Sequence, residues 1–255
     1  TLTANLSLVK SKVNTLVNGQ DINYVDADNF NTGNNILREG ESPYALYGFK
    51  YWGVNPANGN PVYYKADGSL VQGNIDTQAY RVFDPNNPSD ISVASSLSTS
   101  DKSILGSVLP TYFGAFNSNM RYKDFDLGFM FRFSGGNKIH NSTRRDALTM
   151  NFNNNSTEIL GRWQSAANPG DGWTPRLRDD RETFINLNQA STRFVEDGDY
   201  IKLDNVTLGY NLPKPVLEKI GVDKFRFFVQ GQNLLIITDY KGLDPEMEIT
   251  GIDLN

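Results

Sequence analysis

The sharpest pattern in the chain is a strict alternation running from Asp124 to Ser134. Phe125, Leu127, Phe129, Phe131 and Phe133 hold one parity, while Asp126, Gly128, Met130, Arg132 and Ser134 hold the other. A period of two over this length predicts a strand with one apolar face. Two settings suit such a strand: a sheet packed on a soluble core, or a wall with lipid on one side and water on the other. Alternation by itself fits both.

Other segments repeat the pattern. Leu2, Ala4, Leu6 and Leu8 alternate with Thr1, Thr3, Asn5 and Ser7. Tyr112, Phe116, Met120 and Tyr122 share a parity opposite Thr111, Asn117, Asn119 and Arg121, and Phe225, Phe227 and Val229 alternate with Arg226, Phe228 and Gln230. Between Tyr200 and Leu212 the parity changes: Ile201 and Leu203 lie on one, Val206, Leu208 and Tyr210 on the other. The switch at Asp204-Asn205 predicts a β-bulge, whose extra residue re-aims the strand. Shorter strands are expected over 44–51 and 61–65, with Asn58-Gly59 as a tight turn before the second. One short helix is predicted over 213–220, with Pro at its start, Gly221 at its stop, and Val216, Leu217 and Ile220 as its apolar stripe.

The connections are unequal. Lys123-Asp124 is barely a turn, whereas 65 residues separate Ser134 from Tyr200 and a polar stretch fills 66–108. Connections of that length count against a compact soluble domain. Short turns on one side and long loops on the other are the rule in outer-membrane barrels, so the asymmetry favours the membrane.

Composition narrows the function classes. The longest aliphatic run is Leu234–Ile237, far short of the roughly 20 residues a membrane helix needs. Low hydropathy leaves a β-barrel open, because only alternate residues of its strands face lipid. A net charge of −5 disfavours a nucleic-acid binder, which needs concentrated positive charge. The absence of Cys removes thiolate metal sites and thiol catalysis, and a single His precludes a multi-His metal site. Aromatics reach 12%, with 29 Asn, which is not the aromatic-poor composition of a disordered chain.

Catalytic chemistry finds little footing, and neither a cofactor nor a metal is expected. His140 follows a predicted strand end in a Gly- and Asn-rich loop, no G-x-S-x-G elbow accompanies it, and it reads as a solvated loop residue. No P-loop or G-x-G-x-x-G is present. Asp26-Ala-Asp-Asn29 opens like a calcium loop, but Phe30 stands where an oxygen ligand belongs; Asp197-Gly-Asp199 lacks a distant bidentate Glu. Both read as turns, as do Asp67-Gly68, Asp84-Pro85 and Asp244-Pro245. Arg144-Arg145-Asp146 reads as a solvated or loop-packing cluster. Gly231-Gln-Asn233, in mid-strand, marks close approach of another group, with the two amides serving backbone there. Trp163 and Trp173 lie in the long loop among Arg162, Arg176, Arg178 and Arg181. Trp163, Trp173, Arg176 and Arg178 are the ligand-binding candidates, because exposed aromatic faces stack on sugar rings or peptide side chains and Arg supplies donors. The competing reading is that the tryptophans pack the loop against itself.

Val195-Glu-Asp-Gly-Asp-Tyr-Ile-Lys-Leu-Asp-Asn-Val-Thr-Leu-Gly-Tyr-Asn-Leu-Pro213 resembles a pattern near the C-terminus of SusC/RagA-type TonB-dependent transporters. So does Phe225-Arg-Phe-Phe-Val-Gln-Gly-Gln-Asn-Leu-Leu235 with Thr238, Tyr240, Gly242 and Asp244-Pro-Glu246. Leu109-Pro-Thr-Tyr-Phe-Gly-Ala-Phe116, Tyr122-Lys-Asp-Phe-Asp-Leu127 and Phe133-Ser-Gly-Gly-Asn-Lys-Ile139 resemble the preceding elements, in order. The resemblance implies an all-β chain, an antiparallel transmembrane segment of a 22-stranded barrel in the outer membrane. Loops 66–108 and 135–199 would be extracellular and helix 213–220 periplasmic. It further implies TonB-energised uptake of oligosaccharides or oligopeptides with a SusD-like surface lipoprotein, and no enzymatic activity. Residues 1–255 then read as the C-terminal part of that barrel, without the plug domain, the N-terminal strands and the final closing strand, since about seven strands are too few to close it. The alternative is a secreted β-sandwich acting as a carbohydrate-binding module.

Overall fold

The computed structural model describes residues 1–23, 35–77, 79–148, 154–177 and 190–246, which fall into two compact units. Asp26–Asn29, Arg178 and Arg181 lie outside the described residues.

The first unit comprises 1–10, 110–137 and 197–240. Its strands are β1 (Leu2–Leu8), β2 (Tyr112–Tyr122), β3 (Phe125–Gly135), β4 (Tyr200–Asn211) and β5 (Arg226–Thr238). They pair antiparallel in chain order as one sheet. The register gathers the predicted apolar parities onto one face. Leu6 is opposite Gly114, Gly114 opposite Phe133, Phe133 opposite Ile201 and Ile201 opposite Ile237. A second row runs Ala4, Phe116, Phe131, Leu203, Leu235. Between these rows, on the other face, lie Asn5, Ala115, Arg132, Lys202 and Ile236.

The bulge sits where the parity switch puts it. Phe131 pairs with Leu203 and Met130 with Asn205, so Asp204 is the extra residue. Strand β5 answers with an irregularity of its own: Leu203 is opposite Leu235 but Asn205 is opposite Gln232. Asn233 takes φ 51 there, and Gly231 leaves room for the Leu234 side chain. The Gly231–Asn233 stretch is therefore a second bulge, where the sequence had suggested amides serving a neighbouring segment.

The register also sorts the connections. Lys123 and Asp124 join β2 to β3, and α1 (Lys214–Ile220) with its flanks joins β4 to β5 at the same end. Leu217 of the expected stripe is buried, while Val216 and Ile220 remain exposed. The long connections, 9–111 and 136–199, both leave from the opposite end, where Leu8, Tyr112 and Gly135 are in register.

The second unit comprises 11–109, 138–196 and 241–255. Lys50–Val54, Pro61–Tyr64, Leu70–Gly73, Tyr80–Val82 and Ala94–Ser95 form an antiparallel meander. Ser103–Gly106, Ala45–Gly48, Asn35–Leu37 and Ile22–Asn23 form a four-stranded sheet. The stretch 66–108, read from sequence as a polar loop, thus carries four strands. They are two to four residues long, too short to register as alternation. The expected strand over 44–51 is split between the two sheets at Phe49.

Aromatic side chains make the core of the meander. Phe49, Tyr51, Tyr63 and Val71 are buried together. The Tyr51 and Tyr63 rings meet edge to face at 5.3 Å between centroids. Burial pushes both phenols well above their ordinary pKa and keeps them neutral. Ile36, Ala45 and Tyr47 form a second cluster with Ile104.

Candidate functional site

On the first unit the two faces of the sheet differ in chemistry. The apolar face is open within the unit: Leu8 is 77% exposed, Tyr122 72% and Val229 75%. A soluble protein rarely leaves so broad an apolar surface facing water. The strands β2 to β5 are 11 to 13 residues long, sufficient to cross a bilayer when tilted. No helix among the described residues is long and apolar enough to do so. Aromatic rings gather at the short-turn end, with Phe125 against Tyr210 at 4.6 Å and Phe225 against Phe227 at 4.7 Å.

The opposite face is polar and held by ion pairs across strands. Arg226 Nε donates to Asp126 Oδ1 at 3.1 Å, and Asn211 Nδ2 donates to the same oxygen at 3.1 Å. At the bulge Arg132 pairs with Asp204 at 2.9 Å. A cavity of about 400 Å³ on the unit is lined by Asn117, Asn119, Asp126, Asn205, Thr207 and Arg226, among others. One face thus suits hydrocarbon and the other suits water or polar protein.

In the second unit the structure brings Trp163 and Arg176 together and sends Trp173 elsewhere. Trp163 N donates to Thr174 O at 3.0 Å, which zips 161–164 against 171–177. The indole Nε1 donates to Pro56 O at 2.8 Å. Its ring lies against Gly59, which has φ +76; a Cβ there would come within 2.7 Å of Cδ2 and Cε3. Arg176 N donates to Gly59 O at 3.0 Å, and its guanidinium pairs with Asp76 at 2.6 Å. Together Arg162, Trp163, Gln164, Arg176 and Leu177 line a cleft of about 390 Å³. Trp173 instead packs edge to face on Tyr51, centroids 4.9 Å apart, and its carbonyl accepts from the Tyr51 hydroxyl at 2.9 Å. The sequence offered Arg162 and Trp163 as neighbours, and Asn58-Gly59 as a turn. Nothing in it joined position 59 to position 163, because that contact depends on the folded loop.

His140 is not a solvated residue. It is 1% exposed, ends the strand Lys138–His140, and its Nδ1 lies 3.2 Å from Ser142 Oγ. Burial, with the nearby Arg145 charge, draws its pKa down to about 3 and keeps the ring neutral. Arg144 is likewise a packing residue, paired with Glu158 at 2.8 Å and Glu196 at 3.1 Å. Burial opposes its charge, but the two carboxylates outweigh that and hold its pKa above the ordinary value. Asp199 behaves as turn chemistry requires, accepting from Gly136 N at 2.7 Å and the Tyr112 hydroxyl at 3.1 Å.

No family model matches the chain. Known proteins do. TonB-dependent receptor P3 of Formosa agariphila is 32% identical over 245 residues, 95% of this chain and 22% of that protein. TonB-dependent receptor SusC of Bacteroides thetaiotaomicron is 32% identical over 150 residues, 54% of this chain and 13% of that protein. Over nearly its whole length the chain is similar to TonB-dependent receptors, with SusC among its relatives.

A solved structure of the RagAB peptide transporter matches 99% of this chain and 25% of its own with a TM-score of 0.73, at 21% identity. That likeness carries the fold: an antiparallel β architecture fitting a fragment of a TonB-dependent barrel. The chain spans 13–25% of the length of these relatives. The relatives are receptors and a transporter, not enzymes, in keeping with a site built from packing and ion pairs. They favour the barrel over the secreted sandwich.

Proposed function

We propose that this chain forms part of the barrel wall and outer loops of an outer-membrane nutrient importer of the SusC type. In this reading it belongs to the C-terminal portion of a 22-stranded barrel. The plug, the N-terminal strands and the closing strand come from outside residues 1–255. The apolar face of β1–β5 meets lipid and the face carrying Asp126, Arg132 and Arg226 meets the lumen or the plug. The two short connections are periplasmic and the long ones extracellular, following the sidedness of such barrels.

The substrate class is oligosaccharide or oligopeptide, captured with a SusD-like surface lipoprotein and moved inward when TonB acts on the plug. No bond of the substrate is made or broken; the work is conformational. The observation that carries this reading is the single-layer sheet of bilayer-length strands with an open apolar face and an ion-paired polar one.

The test is the native mass and partition of the polypeptide in its source organism. A species several-fold larger than 28.5 kDa, extracted from the outer membrane only by detergent, is expected. A free 28.5 kDa species in the aqueous fraction would overturn the proposal.

A further inference from the structure

We propose that the cleft at Trp163 binds a pyranose ring bearing an acid group, so that the outer loops hold acidic oligosaccharide. The inference rests on the importer reading and names a substrate class for it.

Three features converge. The Trp163 indole is fixed before any ligand arrives, by Pro56 O at its nitrogen and by Gly59 against its ring. It is only half-buried and lines the cleft, so an aromatic platform is held in place at no ordering cost on binding. Two guanidiniums flank it. Arg176 is anchored by Asp76, itself 67% exposed, which leaves donors of the planar fork unused. Arg162 donates to Ile159 O at 3.3 Å, and among the described residues no carboxylate pairs with it. A cleft of about 390 Å³ is of small-ligand size.

A neutral sugar would stack on the indole and leave the Arg162 charge to water. A uronic acid or a sulfated sugar would stack and also accept charge-assisted hydrogen bonds from the guanidinium. Leu177 is the one aliphatic side chain of the lining, so the cleft offers little to an apolar peptide residue.

The experiment uses the full-length receptor that carries this segment, purified in detergent, with calorimetric titration of four probes. These are tetragalacturonate, a sulfated carrageenan tetrasaccharide, neutral maltotetraose and tetraglutamate. At least one acidic sugar should bind more tightly than maltotetraose, and more weakly as salt is raised. The tighter of the two identifies carboxylate or sulfate as the natural group. Arg162→Gln should weaken that binding about tenfold, the order of one charged hydrogen bond, and leave maltotetraose unchanged. Because the Arg162 side chain makes a single hydrogen bond among the described residues, this variant keeps the Trp163 anchor, which tryptophan fluorescence checks. Equal binding of maltotetraose or tetraglutamate, absence of acidic-sugar binding, or an unchanged affinity in Arg162→Gln would overturn the proposal. Each of those results leaves the membrane partition untouched, so failure here is distinct from failure of the importer reading.

Discussion

Arg226 and Asp126 join β5 to β3 across the intervening strand β4, and they meet over Gly209. Asp126 is in register with Gly209, and a Cβ on Gly209 would lie 2.6 Å from Asp126 Oδ1. The glycine therefore makes room for an ion pair that ties three strands on the polar face. Gly209→Ala should displace the pair and lower the heat-unfolding temperature of the barrel. In Asp126→Ala, where the side chain the Cβ would strike is gone, the same substitution should do much less. Equal effects in the two backgrounds would show that Gly209 matters for another reason.

The strongly alternating strands were legible in the sequence, and so was the Asp204 bulge, because a one-residue insertion flips parity and parity is visible in side-chain types. The second bulge in β5 was not, since Leu234–Ile237 is apolar on both parities and conceals the shift. The strands between Leu70 and Gly106 were hidden for a different reason: Val71 and Tyr80 pack on Phe49, Tyr51 and Tyr63, and Ile104 on Ile36, Ala45 and Tyr47, all residues outside that stretch. Of the candidate site, the residue types were legible and their grouping was not. Trp163 and Arg176 meet over Gly59, while Trp173 turns to Tyr51, a choice set by loop packing alone.

Phe129 lies mid-strand on the apolar face, in register with Ser118 and Val206. Phe129→Arg should abolish assembly, because a charge at mid-bilayer on the lipid side costs about 2–4 kcal/mol. Ser134→Arg, at the strand end on the other face, should assemble normally. Folded yield in the outer membrane, read by heat-modifiable gel mobility, compares them. Equal yields would contradict the lipid-facing assignment.

Deleting Asp204 removes the extra residue of β4. Leu203 and Ile201 then move to the polar face and Lys202 to the lipid face, again at about 2–4 kcal/mol for the buried charge. Assembly should fail. Asp204→Asn keeps the bulge and loses only the ion pair to Arg132, so it should assemble. The same mobility assay separates the two.

Gly59→Ala tests the anchoring of Trp163. The positive φ and the 2.7 Å approach to the indole together should cost about 1–3 kcal/mol of local stability. Amides held by this contact, Trp163 N to Thr174 O and Arg176 N to Gly59 O, should exchange faster with deuterium. Unchanged protection of both would show that the indole is not fixed by Gly59.

His140 should make its loop acid-sensitive in a defined window. A free imidazole has a pKa near 6.5, while burial, then the Arg145 charge, draws that of His140 to about 3. Between those values the unfolded segment binds a proton that the folded one refuses. The stability contribution is therefore complete above pH 6.5 and is lost as pH falls toward 3, by about 2 kcal/mol at pH 5. Exchange of the Asn141 amide, which donates to Phe194 O, reports the loss once corrected for its intrinsic pH dependence. In His140→Gln the profile across this window should flatten, whatever the substitution costs at neutral pH. A variant profile as steep as the parent's would assign the acid sensitivity to another group.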